Sequence, residues 1–384
     1  MQIHTIVDEN IPLARDIFIQ FGKVTLINGR NILQNDLKNS QNLIIRSVTK
    51  VDKMLLKNTS IKFVGTCTIG EDHVNKEELK ELGIKFHSAP GCNAQSVAEY
   101  IISSLLKYSD NRNISLHGKS IGIIGVGNVG KLVNKYAQSL GMITVLNDPP
   151  RQRQEKDSVF DSFEKVLQCD FITLHVPLNE NGSDKTLHLF NKNVFEKMNS
   201  EAVLINSCRG SVVKSDDLKY ALGKKLIKDA IIDVWENEPT IDKELFDLCF
   251  IGTPHIAGYS YDAKIRGATM IANELATFMK VPAQDFSSLI KSDNIKLEVK
   301  MHDGDNMLDT LKKVTELLYN PLEDHFNLNK ALNSLEPKKS FDDLRKNYKK
   351  RREFHIYPIY VNQNNRIHEL QKFMSLFNIV LKTE

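Results

Sequence analysis

Ser120-Ile-Gly-Ile-Ile-Gly-Val-Gly-Asn-Val-Gly130 decides how this chain folds. Ser120 to Ile124 is a short apolar run of the kind that forms a buried strand, and Lys131 to Leu140 continues with helical spacing as far as Gly141. Between them lies the turn Gly125-Val126-Gly127-Asn128-Val129-Gly130. A glycine turn alone is a weak sign, but a strand before it and a helix after it give it chemical meaning. Gly125 permits the turn, Gly127 lets the backbone approach a pyrophosphate, and Gly130 lets helix and strand pack closely. The helix start at Asn128 and Val129 offers free amides to negative phosphates. The next strand, Thr144 to Asp148, ends in a carboxylate about twenty residues past the turn, where it can accept hydrogen bonds from an adenosine ribose and repel a 2′-phosphate. These residues predict a dinucleotide site that prefers NAD to NADP.

Strand and helix signals alternate on either side of this unit. Upstream, Ile3–Val7, Leu43–Ile45 and Phe63–Gly65 read as strands. One helix opens at Asn10-Ile11-Pro12 and closes at Gly22, and another runs from Asn75 to Leu82 before Gly83. Downstream, Phe171–Leu174, Ala202–Ile205 and Ala230–Ile232 are apolar strands, and a helix runs from Ala263 to Met279. Strands separated by helices imply parallel sheets. Residues 284–384 are more polar, with strands at Ile295–Val299 and Tyr357–Val361 and a helix from Met307 to Tyr319. That helix carries Leu308, Leu311, Val314, Leu317 and Leu318 at helical spacing.

Cys208-Arg209-Gly210, Glu236-Asn237-Glu238-Pro239 and Thr253-Pro254-His255 follow the glycine turn in that order. Arg209 comes after the strand Ala202–Asn206, so it projects from a carboxyl end, where open α/β sheets place ligands. Its fork suits a carboxylate, and its charge can polarise a neighbouring carbonyl. His255 can take a hydroxyl proton as a hydride leaves the carbon, and Glu238 can orient the ring and stabilise the imidazolium. A lone histidine is more often structural, but Arg209 and Glu238 reverse that weighting. His4, His73, His87, His117, His175 and His188 lack such company and read as structural or surface groups. Cys67 and Cys208 read as buried apolar thiols.

Composition narrows the classes further. The chain has 384 residues, too many for one usual core, with 41% hydrophobic and 26% charged residues. No run approaches a membrane span, and Met1-Gln2-Ile3-His4-Thr5 lacks a basic region followed by an apolar signal core. A net charge of +3 gives little field for nucleic acid, and the basic stretch Arg345–Arg352 is bracketed by Asp342, Asp343 and Glu353. The five cysteines are scattered, without a Cys-x-x-Cys pair, which fits reduced thiols in a cytoplasm and no metal site.

With these motifs in place, the sequence resembles the D-2-hydroxyacid dehydrogenases over about residues 3–280, through the glycine turn, Arg209, Asp233, Glu238 and His255. Val7–Asn10, Arg46–Val51, Ala89–Ala94, Asp148-Pro149-Pro150 and His255–Tyr259 are similar to one branch of that family. So is the tail, Phe341–Tyr348 with Arg351-Arg352-Glu353-Phe354. That branch oxidises 4-phospho-D-erythronate to (R)-3-hydroxy-2-oxo-4-phosphooxybutanoate with NAD, on the way to pyridoxal 5′-phosphate. The resemblance implies an α/β fold of two doubly wound Rossmann-like domains and a small α+β C-terminal dimerisation domain. Residues 1–94 with 259–283 would form the substrate-binding lid, 95–258 the NAD-binding domain and 284–384 the dimerisation domain of a cytoplasmic homodimer. It implies substrate contacts at Ser47, Thr68 and Tyr259, with Arg46 beside them. Cofactor contacts would fall at Asp148, Val176, Ser207, Cys208, Asp233 and Gly258, although Val176 stands where a threonine would be expected. A phosphoglycerate dehydrogenase would share the catalytic trio, and an NAD-sensing corepressor would share the fold without turnover.

Overall fold

The computed structural model describes residues 3–155, 159–290, 295–302, 304–362 and 366–383. The outermost residues of the expected first and last domains, Met1, Gln2 and Glu384, lie outside the described residues. The chain forms two compact units, residues 1–94 with 259–292, and residues 95–258 with 293–384.

In the first unit, β1 (His4–Asp8), β2 (Lys23–Ile27), β3 (Asn42–Ile45), β4 (Phe63–Thr66) and β5 (Lys85–His87) form one sheet in the order β2-β1-β3-β4-β5. Every neighbouring pair is parallel. The three strands read from sequence are its centre, and the edge strands β2 and β5, which mix charges with apolar residues, escaped that reading. Pro12 does not open a helix. Ile11 and Ala14 donate to Asp8 and Ile11 carbonyls in successive turns, Leu13 turns left-handed at φ 55°, and the helix starts at Ala14. Helix Tyr261–Met279 packs Ala268, Ile271, Ala272 and Leu275 into the core of this unit with Val7, Ile44 and Phe63.

In the second unit, β6 (Ser120–Ile124), β7 (Ile143–Asn147), β8 (Phe171–Leu174), β9 (Val203–Asn206), β10 (Asp229–Ile232) and β11 (Ile251–Gly252) pair in parallel, in the order β11-β10-β9-β8-β6-β7. Chain direction across the sheet reverses at β6 and β8, so the crevice of this doubly wound sheet opens above the carboxyl ends of those strands. Helix Ala94–Arg112 begins this part of the chain. The tail adds a parallel sheet of β12 (Leu297–Val299), β13 (Pro358–Val361) and β14 (Val380–Thr383), with β13 central. Helices Pro321–Leu332 and Pro337–Lys346 each start with proline at their first turn. They lay Leu328, Ala331 and Phe341 into the same apolar cluster as Ile232, Trp235 and Phe246 of the larger sheet.

Candidate active site

The glycine turn leaves the carboxyl end of β6 at the crevice. Gly125 has φ +86°, and a Cβ there would stand 2.6 Å from the His175 carbonyl oxygen, so only glycine fits. A Cβ on Gly130 would strike the Gly125 carbonyl oxygen at 2.1 Å. Gly127 differs, since nothing lies within 4 Å of its missing Cβ. It caps helix Asn128–Ser139 without a side-chain hydrogen bond, leaving the first amides open to an anion. Bare backbone at a helix start, in the crevice of the sheet, fits the pyrophosphate of a dinucleotide.

Asp148 follows β7 directly and is buried. Its Oδ2 accepts from the Val126 amide at 2.8 Å and its Oδ1 from the Arg151 amide at 3.1 Å. Arg151 donates in turn to the Val126 carbonyl. The segment that would read the ribose therefore also holds the glycine turn by both backbone groups of Val126. Val176 packs a methyl group against Gly125. Cys208 donates its amide to Asn206 Oδ1, and burial pushes its thiol up to about 11. Ser207 and Gly258 are partly exposed.

Arg209 stands three residues past the end of β9, its fork donating to the Cys208 carbonyl at 2.8 Å, while Asn206 Nδ2 donates to the Arg209 carbonyl. His255 has a left-handed backbone at φ 56° and donates its amide to the Asp233 carbonyl at 2.7 Å. Its Nδ1 lies 2.8 Å from Glu238 Oε2, and Glu238 Oε1 accepts from the Trp235 amide at 2.8 Å. Burial opposes charge on Glu238, but His255, the Trp235 amide and Arg345 together hold its carboxyl below the usual range. A carboxylate on Nδ1 leaves Nε2 as the nitrogen for substrate.

The Asp233 side chain shapes the histidine loop. It accepts from the Thr253 hydroxyl at 2.6 Å and from the amides of Ile256 and Ala257 at 2.8 and 3.0 Å. Burial pushes its pKa up, and these donors and the charge of His255 work against that. The Thr253 proton goes to Asp233, so Tyr100, 2.9 Å away, donates to the Thr253 hydroxyl. Thr253 belongs to the motif that ends in His255, whereas Tyr100, 153 residues from it in the chain, could not be linked to it from the sequence.

In the first unit, Ser47 and Thr68 follow the carboxyl ends of β3 and β4. Ser47 is exposed, whereas Thr68 shares a hydrogen bond with the Thr66 hydroxyl at 2.8 Å and donates to the Gly70 carbonyl. Arg46 turns its fork onto Asp8, with Nε donating to Oδ2 at 2.9 Å, so much of its charge is already matched. Lys264, which the sequence reading passed over, lies 4.9 Å from the centre of the Tyr259 ring and has no carboxylate partner among the described residues. Burial, and then Arg46, bring its pKa down to about 8.

Two histidines set aside in the sequence reading do have acidic partners. His188 Nε2 lies 2.5 Å from Glu236 Oε1, and His87 Nδ1 lies 3.0 Å from Glu274 Oε2. The chain separations, 188 to 236 and 87 to 274, hid both pairs. The stretch Arg345–Arg352 is also not a free basic face, since Arg351 and Arg352 are buried.

Comparison with known proteins matches residues 94–257 to the D-isomer specific 2-hydroxyacid dehydrogenase NAD-binding domain, and residues 293–373 to a domain of unknown function. Erythronate-4-phosphate dehydrogenases of Shigella boydii serotype 4 (strain Sb227) and Escherichia coli O17:K52:H18 are each 40% identical to it over 360 residues, covering 91% of this chain and 92% of theirs. The chain belongs to the erythronate-4-phosphate dehydrogenase family. The fold extends to more distant enzymes. An NAD-dependent formate dehydrogenase from Staphylococcus aureus, solved with NAD, superposes with a TM-score of 0.60 at 24% identity, covering 74% of this chain and 98% of its own. A D-lactate dehydrogenase from Aquifex aeolicus, solved with NAD and lactic acid, gives 0.60 at 24% identity over 72% and 95%.

Proposed function

We propose that this enzyme is an NAD-dependent dehydrogenase that oxidises 4-phospho-D-erythronate to (R)-3-hydroxy-2-oxo-4-phosphooxybutanoate, a step toward pyridoxal 5′-phosphate. The observation that carries the reading is the Glu238–His255 pair, in a chain that also has a bare glycine turn and is 40% identical to erythronate-4-phosphate dehydrogenases. When bound, NAD supplies the hydride acceptor. Arg209 grips the carboxylate and polarises the oxygen that becomes the carbonyl. His255 takes the hydroxyl proton through Nε2, and Glu238 holds the ring and stabilises the imidazolium. The amides at Asn128 and Val129 would face the pyrophosphate, and Asp148 would take the ribose hydroxyls. Val176, Ser207, Cys208, Asp233 and Gly258 would line the rest of the cofactor site, with Asp233 acting through the loop it organises. Ser47, Thr68, Tyr259 and Arg46 receive the substrate, and Lys264 supplies the cation that Arg46, held by Asp8, cannot fully give.

The test is reduction of NAD followed optically with 4-phosphoerythronate and with 3-phosphoglycerate. Preferred turnover of the four-carbon acid is expected; turnover of 3-phosphoglycerate alone, or of neither, overturns the reading.

The division into a substrate-binding lid (1–94 with 259–283), an NAD-binding domain (95–258) and a dimerisation domain (284–384) belongs to the same proposal, as does a twofold homodimer in the cytoplasm. Leu317, Phe326 and Leu335 of the tail are exposed, and Leu335 fully so. Apolar groups left in water favour burial against a second copy, and twofold pairing is the commonest symmetry. The five cysteines are all unpaired, which supports a reducing compartment. Light scattering at micromolar concentration should give a dimer for the intact chain and a shift toward monomer for Phe326→Asp with Leu335→Asp.

A further inference from the structure

Helix Pro337–Lys346 of the tail ends beside the acid–base pair. Arg345, in its last turn, brings Nη1 to 3.9 Å from Glu238 Oε2, the same oxygen that holds His255 Nδ1. The guanidinium lies against the Phe341 ring, and side-chain exposures of 22% for Arg345 and 19% for Glu238 leave little water to screen the two charges. Further along, the tail reaches the same loop a second time. Arg351, stacked 3.8 Å over the Tyr319 ring, donates to the carbonyls of Ala257 and Ser96 at 3.1 and 2.7 Å. Glu353 accepts from the Ser96 hydroxyl, and the Phe354 amide donates to Glu99. Through Arg351 the tail motif thus touches the His255 loop at Ala257, and through Arg351, Glu353 and Phe354 it is tied to helix Ala94–Arg112.

We propose that Arg345 is a positioning residue of the acid–base pair: its cation shares the Glu238 carboxylate with His255 and limits how firmly the pair holds its proton, while Arg351 fixes the loop through Ala257. The inference rests on the acid–base role given to His255 above. Two acids of the same segment are committed elsewhere. Asp233 carries Thr253 and the amides of Ile256 and Ala257, and Glu236 carries His188 and the Ser215 amide. Arg345 lies beside the Glu238 oxygen that also holds His255, and its charge helps to keep that carboxyl low.

The experiment compares wild type with Arg345→Gln and Arg345→Met, which remove the charge, and Arg345→Lys, which keeps it. The His255 imidazole is titrated by nitrogen NMR in the full-length protein with NAD, its signal assigned by its loss in His255→Asn. The pH profile of kcat/KM for oxidation is measured alongside. Removing the charge should move the His255 titration, and the activity limb that needs a neutral ring, to higher pH by about half a unit to one unit. The lysine variant should stay near wild type. A purely structural role would instead lower the melting temperature and the rate at every pH without moving the titration. A neutral variant that titrates as wild type does, or a lysine variant that moves as far as the neutral ones, overturns the proposal. If wild type does not oxidise the phosphoacid, the proposed function fails, while the NMR titration still decides the role of Arg345.

Discussion

Two histidine–carboxylate pairs hang from one loop, and among the described residues only one of them has an arginine against its carboxylate. Glu236 holds His188 and Glu238 holds His255, at 2.5 and 2.8 Å, and both histidines sit in left-handed backbone at φ 53° and 56°. The difference lies in what surrounds them. The second oxygen of Glu236 accepts the Ser215 amide, so it satisfies an open donor at the start of helix Ser215–Gly223. The His188 amide donates to the Ser211 carbonyl. That pair ties a loop to a helix. Glu238 instead sits between His255 and Arg345, and the His255 loop is shaped by Asp233 at the carboxyl ends of β10 and β11. A histidine–carboxylate pair is thus not chemistry in itself; its neighbours decide whether it organises structure or moves a proton.

Substitutions at matching positions should break that comparison apart, and the largest contrast falls on the rings. His255→Asn should lower turnover by roughly two to four decades while NAD binding persists, the usual worth of a positioned acid–base group. His188→Asn should stay within about threefold of wild type and show its effect in melting temperature, since a lost structural hydrogen bond costs about 1 kcal/mol. Steady-state rates and cofactor titration of both variants check this; comparable rate losses would abolish the distinction. Next come the carboxylates. Glu238→Gln should cost about tenfold or more in turnover and move the pH profile of oxidation to lower pH, because the imidazolium loses its partner. Glu236→Gln should leave the profile in place.

Asp148 lies outside both pairs and should act on cofactor choice alone. Asp148→Ser should narrow the preference for NAD over NADP by about tenfold, or ~1.4 kcal/mol, without moving the pH profile. The ratio of kcat/KM for the two cofactors measures it, and an unchanged ratio would assign selection to another group.

The last effect bears on stability alone and concerns a buried carboxylate that has no histidine. Burial, and then the charge of Glu353, push Glu99 up to about 8. Its folded pKa is raised, so between about pH 4.5 and 8 the native chain holds a proton that the unfolded chain has released. The contribution of Glu99 to stability is then largest below that window and falls as pH rises through it, by an amount on the order of 1 kcal/mol per pH unit at most. Glu99→Gln should flatten the fall, as read from melting temperatures at about pH 6 and pH 9. Parallel curves for the two proteins would show that Glu99 is charged throughout.

The glycine turn, its flanking strand and helix and the central strands of both larger sheets were legible in the linear chain, as were the candidates Arg209, Glu238 and His255, of which the fold pairs the last two. Each is local, since steric limits at glycine, apolar runs and a stretch of a few residues encode it without reference to distant partners. Edge strands β2 and β5 were not, because a half-covered edge does not demand a purely apolar run. Nor could linear reading find contacts made across long separations. Asp8 holds Arg46, Tyr100 reaches Thr253, Glu236 holds His188, and Arg345 and Arg351 come from the tail to Glu238 and Ala257. The order of residues determined which chemistry this protein carries. Only folding decided which of two glutamates in one loop would share its charge with an arginine, because that choice depends on distances the linear chain does not contain.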